Sequence, residues 1–180
     1  GYADTFYSTV YGHSDGLSDS VLGLKYLIAN KGTAVPESYE RIYSGEKNLY
    51  YNPFYLPILY TGSTNAIVYN EDWRLHVNNM AVALTGYDLL DASQNVLWDN
   101  AEAFANELRK TEADIVRQNG GYISATAEGE YLLTSIIYDE NWHIKVNGNA
   151  VAPEKYMEHF LSVPLAEGEN HIVMYYVPDG

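Results

Sequence analysis

The last third of the sequence alternates short apolar segments with turn residues, and this pattern restricts the fold more than any other feature. Residues 142–146 alternate apolar and polar side chains, as a half-buried strand does. The Asn147-Gly148 pair that follows is typical of a type I′ hairpin turn. Comparable apolar segments occupy residues 122–127, 131–138, 159–165 and 171–177. Together they predict an antiparallel sheet or a small β-sandwich of about five strands.

The first half of the sequence has a mixed pattern. Apolar residues recur at helical spacing over residues 17–28, and again from Asp72 to Gly86. A third helix is predicted to begin at Asp99, because Asp99 with Glu102 three residues later resembles a capping box. Short strand-like segments lie at residues 41–44, 48–51 and 58–60.

These patterns predict an α+β fold, in which a helical or mixed N-terminal half packs on a C-terminal antiparallel sheet or small sandwich. We expect one domain over residues 1–180, with a mixed α/β lobe over residues 1–112 and an antiparallel β lobe over residues 113–180. The hydrophobic content of 47% is enough to bury a sizeable core. No segment approaches the roughly 18–20 uninterrupted apolar residues that a membrane-spanning helix needs.

Charge and cysteine content exclude several classes of function. The net charge is −14, from 24 acidic and 10 basic residues, so the chain repels nucleic acid and its overall field disfavours anionic lipid headgroups. The sequence has no Cys, which excludes disulfides, thiolate catalysis and cysteine zinc sites. A cysteine-free domain is compatible with the surface of a Gram-positive cell.

Several motifs, in the same order along the chain, resemble the bacterial YfhO membrane-protein family. The sequences are SDSVLGLKYLI at residues 18–28, YNPFYLP at 51–57, LTSIIYDENW at 133–142, KVNG at 145–148, GENH at 168–171 and YYVPDG at 175–180. Two positions depart from the usual family pattern, with Ile137 in place of Pro and Asn141 in place of Gly.

The resemblance implies an extracytoplasmic domain of a polytopic membrane protein with a membrane-embedded glycosyltransferase of the GT-C kind. Such an enzyme takes sugar from a polyprenyl-phosphate donor and adds it to a cell-envelope glycopolymer such as teichoic acid. The implied partners are that glycopolymer and the protein's own transmembrane helices. The catalytic carboxylate of such enzymes lies on a loop of the membrane part, which no residue of this chain matches. The resemblance therefore implies no catalytic residue and no cofactor here.

Considered on their own, the residues give weak evidence for catalysis. Asp139 and Glu140 beside Trp142 are the best candidates for glycan contact, because sugars stack on indole rings and hydrogen-bond to carboxylates. The competing interpretation, in which Asp139 shapes a turn and Trp142 joins the core face of its strand, is favoured. Trp73 is a further candidate for glycan contact, again with packing as the favoured alternative. The 18 tyrosines are interpreted chiefly as strand and core residues.

Other sites have less support. His13, Ser14, Asp15 and Gly16, with Asp19, resemble a loose cation loop. They lack the ligand spacing of an EF-hand, and a turn into the first helix explains them better. The histidines show no zinc-binding spacing. The function predicted is a non-catalytic extracytoplasmic domain that orients an acceptor or braces the membrane part. The alternatives are a free-standing carbohydrate-binding module and a glycoside hydrolase, which requires two carboxylates facing each other in a cleft.

Overall fold

The computed structural model describes residues 16–64 and 66–178, and within them it has three helices and twelve strands. The helices are α1 (Gly16–Val21), α2 (Trp73–Thr85) and α3 (Trp98–Arg109). The first six strands are β1 (Tyr26–Asn30), β2 (Glu40–Ser44), β3 (Lys47–Tyr51), β4 (Leu59–Gly62), β5 (Asp114–Asn119) and β6 (Tyr122–Glu128). The others are β7 (Tyr131–Ile137), β8 (Trp142–Val146), β9 (Asn149–Val151), β10 (Glu154–Tyr156), β11 (Phe160–Pro164) and β12 (Glu169–Tyr176).

The strands form three antiparallel sheets. Their orders are β1-β3-β2, β10-β11-β7-β4 and β5-β6-β12-β8-β9. The five-stranded sheet packs against one face of the four-stranded sheet, and the helices pack against the other. The described part of the chain is therefore a mixed structure that is mostly β, with the four-stranded sheet as its middle layer.

Strand β7 shows how one sheet contributes to two cores. Leu132 and Leu133 are both fully buried, but they point to opposite faces of the sheet. Leu132 belongs to the apolar cluster between the sheets with Leu161 and Val163, whereas Leu133 belongs to the cluster under the helices with Phe160. A strand buried on both faces needs apolar residues at successive positions, which is why this segment lacks the polar alternation of an exposed strand.

The prediction of helix α2 is confirmed in detail. The Asp72 side chain accepts hydrogen bonds from the backbone amides of Arg74 and Leu75 at 2.9 and 3.3 Å, as an N-cap does. Gly86 ends the helix with a φ of 81°, a left-handed conformation that glycine adopts without the steric cost of a Cβ atom.

The predicted capping box of helix α3 is wrong. The helix begins at Trp98, so Asp99 lies inside its first turn, and the residue at the N-cap position is Leu97, which makes no side-chain cap. A buried face of Ala101, Phe104, Ala105 and Leu108 stabilises the helix instead.

The helix predicted over residues 17–28 is correct only for its first part. Helix α1 ends at Val21, Gly23 takes a φ of 70°, and Tyr26–Asn30 continues as strand β1 paired with β3. The helical spacing of apolar residues is overridden because β1 pairs with β3 along its whole length.

The C-terminal strands are more numerous than predicted. Eight described strands follow residue 113 and lie in two sheets, where about five were expected. The predicted type I′ turn is confirmed, since Asn147 and Gly148 have φ values of 52° and 81° between β8 and β9. Strand β4, at residues 59–62, pairs with β7 and so joins the C-terminal sheets. No helix among the described residues is long and apolar enough to cross a membrane.

Candidate glycan-contact site

Asp139 organises the turn between β7 and β8. Its Oδ1 atom accepts a hydrogen bond from the backbone amide of Asn141 at 2.8 Å, and its carbonyl accepts one from the amide of Trp142 at 3.2 Å. Its Oδ2 atom accepts a hydrogen bond from the Tyr176 hydroxyl at 3.2 Å. The carboxylate therefore shapes the turn and ties it to β12. Glu140, at the tip of this turn, is exposed.

Trp142 lies on the sandwich side of its strand. It packs against the apolar cluster that contains Ile144 and Val146, and its ring is 5.4 Å from that of Tyr176. The ring remains partly accessible at the end of the sandwich. Its main role is therefore packing, with an edge left open to solvent.

Trp73 is not part of the same site. It is the first residue of α2, its Nε1 atom donates to the Ser18 hydroxyl at 3.0 Å, and its ring lies 6.1 Å from those of His159 and Phe160. These contacts belong to the core under the helices, whereas Trp142 belongs to the core between the sheets. The four-stranded sheet separates the two tryptophans.

A row of aromatic rings crosses the outer face of the five-stranded sheet. Strand register places Tyr175 of β12 directly opposite Tyr122 of β6 on one side and His143 of β8 on the other. The His143 and Tyr175 rings are stacked, with centroids 5.2 Å apart and planes at 13°. His143 is exposed, and both tyrosines are half-buried. We name Tyr122, Tyr175 and His143 the aromatic row.

Cations border the aromatic row. The Arg117 guanidinium lies 5.4 Å from the centre of the Tyr122 ring, a cation–π distance. The next row of the same face contains Ser124 opposite Val173, and Val173 opposite Lys145. Arg117 of β5 lies opposite Ser124 on the other side of β6. In this second row, Arg117 and Lys145 therefore flank Ser124 and Val173. In a chain of net charge −14, these two rows are a local exception, whereas Glu128 and Glu169 lie opposite each other farther along the same face.

The sequence pattern alone does not predict this row. From sequence, the tyrosines are interpreted as strand and core residues, and the candidate glycan contacts lie at the turn and the tryptophans. The alternation in residues 142–146 did place His143 and Lys145 away from the core face. The missing information was the register, which alone shows that Tyr122, Tyr175 and His143 are neighbours.

Two open clefts lie at the opposite end of the sandwich. The larger, about 510 Å³, lies between the C-terminal ends of α2 and α3 and the β6–β7 turn, and Glu107 and Glu130 are among its lining residues. The adjoining cleft, about 330 Å³, contains the carboxylates of Glu112, Asp114, Glu128 and Glu169. In the part of the chain that the structure describes, no three His, Asp or Glu residues are arranged to hold a metal ion.

Comparison with known families identifies the chain. The family model for the bacterial membrane protein YfhO matches residues 71–180, which is more than half of the chain. The chain belongs to the YfhO family of bacterial membrane proteins. No curated protein and no solved structure matches the chain.

The YfhO match covers helices α2 and α3 and all strands from β5 to β12. It therefore includes the Asp139 turn and the aromatic row. The segments at residues 18–28 and 51–57 lie outside it. In the second of these, Asn52 is fully buried, and its amide donates to the Ser20 hydroxyl at 3.3 Å and to the Leu24 carbonyl at 3.0 Å. This asparagine connects the segment after β3 to α1 and to the turn between α1 and β1, and has a structural role.

Of the predicted cation loop, His13, Ser14 and Asp15 lie outside the described residues, as do Asp179 and Gly180 of the last motif.

Proposed function

We propose that this chain is the non-catalytic extracytoplasmic domain of a membrane glycosyltransferase and that it orients a glycan acceptor. Two observations support the proposal: membership of a bacterial membrane-protein family, and the aromatic row on the outer face of the five-stranded sheet. The aromatic row is the main evidence for glycan binding. It places one exposed and two half-buried rings side by side on a sheet face that belongs to neither core.

The chemistry of the aromatic row suits a sugar chain. A pyranose ring has faces of C–H groups that pack on aromatic rings, and its hydroxyl groups require hydrogen-bonding partners at the edge. His143 and Tyr175 are already stacked, so little conformational entropy is lost when a sugar binds them. The Ser124 hydroxyl and the Lys145 amine, in the second row, can hydrogen-bond to the sugar hydroxyls.

The bordering cations favour an acceptor that carries anionic groups. Arg117 and Lys145 lie at the two ends of the second row, and both bind phosphate oxygens well. A cell-envelope glycopolymer such as teichoic acid has this combination of sugar and phosphate, and a polyprenyl-phosphate sugar is the donor we propose for the membrane part. The sheet would hold the polymer outside the cytoplasm, above the membrane active site.

Binding measured by NMR, with purified teichoic-acid and other cell-wall glycan fragments, tests this proposal. We expect saturable shifts of residues around the aromatic row. Tyr175→Ala should weaken binding by about tenfold, which corresponds to roughly 1.4 kcal/mol for one lost ring contact. Trp142→Ala should have a smaller effect on binding, since Trp142 mainly packs in the sandwich. Tyr43→Ala, on a different sheet, is the matched control.

Two results would contradict the proposal. One is the absence of binding to any glycan by the folded domain. The other is binding that survives in Tyr175→Ala and His143→Ala while it is lost in Trp142→Ala, which would move the site to the Asp139 turn. A free-standing carbohydrate-binding module would use the same rings. Our proposal and this alternative differ in one outcome: if the domain orients the acceptor, its deletion should abolish glycan transfer by the membrane-bound protein.

The glycoside hydrolase alternative has its own observation, the cleft lined by Glu107 and Glu130. A hydrolase acts through two carboxylates about 5–5.5 or 6.5–9.5 Å apart. If the domain cleaves glycans, Glu107→Gln and Glu130→Gln should each abolish cleavage, whereas Tyr175→Ala should change only binding. We expect no cleavage by the unaltered domain.

A further inference from the structure

The three-stranded sheet has one buried face and one exposed face. Ala29 and Asn48 lie on the buried face, at 8% and 6% exposure. On the opposite face, Tyr26, Ile28 and Tyr43 are 56%, 67% and 62% exposed. These three side chains point to solvent although they are large and apolar or aromatic, which distinguishes them from an ordinary polar sheet surface. The same face also carries the exposed Glu40, opposite Tyr51.

Strand register joins these side chains into one surface. Tyr26 lies opposite Tyr51, and Ile28 lies opposite Leu49. Leu49 in turn lies opposite Tyr43. We name Tyr26, Ile28, Tyr43, Leu49 and Tyr51 the exposed sheet face.

The rings of the exposed sheet face are held in place before anything binds. The Tyr26 and Tyr51 rings are 5.8 Å apart, and the Tyr43 ring lies against Gly45, where a Cβ atom would come within 2.6 Å of it. Beside them, Lys25 lies 4.5 Å from the centre of the Tyr55 ring. The ordinary pKa of lysine already keeps this amine charged at neutral pH, and a hydrogen bond to Tyr55 is the main cause that raises the pKa of Lys25 further.

The charge around this face differs from that of the rest of the chain. Residues 25–51 contain four cations, Lys25, Lys31, Arg41 and Lys47, and three carboxylates, Glu37, Glu40 and Glu46. The segment is therefore net +1 in a chain that is net −14. The overall negative field disfavours approach to an anionic bilayer, but this segment lacks the negative excess of the rest of the chain and so opposes such approach less.

We propose that the exposed sheet face rests on the lipid bilayer and sets the orientation of the domain. Tyrosine is suited to the headgroup level because its ring is apolar and its hydroxyl is polar, and lysine places its charge there while its stem lies along apolar surface. Ile28 and Leu49 would reach the acyl boundary. Membership of a membrane-protein family places a bilayer within reach of the domain. This inference stands independently of glycan binding.

Single-cysteine labelling tests the proposal, because the chain has no Cys of its own. An environment-sensitive fluorophore at Ile28→Cys should shift to the blue, and saturate, as vesicles of phosphatidylglycerol and phosphatidylethanolamine are added to the full chain. The matched control is Val116→Cys on β5, where the native side chain is 72% exposed. Its label should not shift. In vesicle flotation, Tyr43→Ser should weaken partitioning about three- to tenfold, and Val116→Ser should leave it unchanged.

Three results would overturn the proposal. In the first, the labels at positions 28 and 116 respond alike to vesicles. In the second, neither label responds at lipid concentrations in the millimolar range. In the third, the label at position 28 shifts without vesicles and does so increasingly with protein concentration, which would assign the face to a second copy of the chain. Because Tyr175→Ala lies on a different sheet, it should bind vesicles normally, so failure of this proposal is distinct from failure of glycan binding.

Discussion

At the scale of single residues, His76 couples stability to pH. It is 3% exposed near the start of α2, with the Tyr69 ring 5.2 Å and the Trp73 ring 6.2 Å away. Burial lowers its pKa below the ordinary value of 6.5, the charge of Glu158 opposes that shift, and His159 adds to it. The folded state therefore favours the neutral imidazole.

The sign of the pH effect follows from this lowered pKa. Between 6.5 and the lower folded pKa, the unfolded chain binds more protons at this position, so the free energy of unfolding should fall as the pH falls through 6.5 toward the folded pKa. Urea unfolding at a series of pH values measures this. His76→Gln should flatten the dependence, and His171→Gln, at an exposed position, should not. Equal slopes in all three proteins would refute the role of His76.

At the scale of elements, α2 and α3 begin in different ways, and their stabilities should respond differently. Asp72→Ala removes the N-cap of α2 and should cost about 1 kcal/mol. Asp99→Ala removes only a favourable interaction with the helix dipole and should cost about 0.3–1 kcal/mol. Urea titration of both variants gives the comparison. A larger loss of stability for Asp99→Ala than for Asp72→Ala would support the capping box that the sequence predicts.

The same two helices show what a sequence can predict. Helix α2 carries its signals locally, because both Asp72 and Gly86 act within one turn of the helix. The Asn147-Gly148 turn is local in the same way. Strand β1 is not determined by local signals, since its pairing with β3 depends on residues about 20 positions away. The aromatic row could not be predicted for this reason, as its members come together only through the pairing of three strands.

At the scale of the whole molecule, β7 makes the two cores depend on each other. Leu132→Ala and Leu133→Ala truncate fully buried side chains on opposite faces, and each should cost about 2–5 kcal/mol. Because Trp73 reports on one core and Trp142 on the other, unfolding can be followed in single-tryptophan variants of each. We expect one transition with the same midpoint for both reporters, shifted alike by either substitution. Separate midpoints would show instead that the two cores unfold independently of each other.

The middle position of the four-stranded sheet also separates the residues that packing constrains on both sides from part of the proposed glycan-binding face. The recognisable segment at residues 133–142 includes most of β7, which packing constrains from both sides. Tyr122, His143 and Arg117 face outward and contribute nothing to either core. Substitutions at these three positions can therefore change the proposed glycan contacts with little effect on either core. If the proposed site is correct, a relative that shares residues 133–142 with this chain can still bind a different polymer.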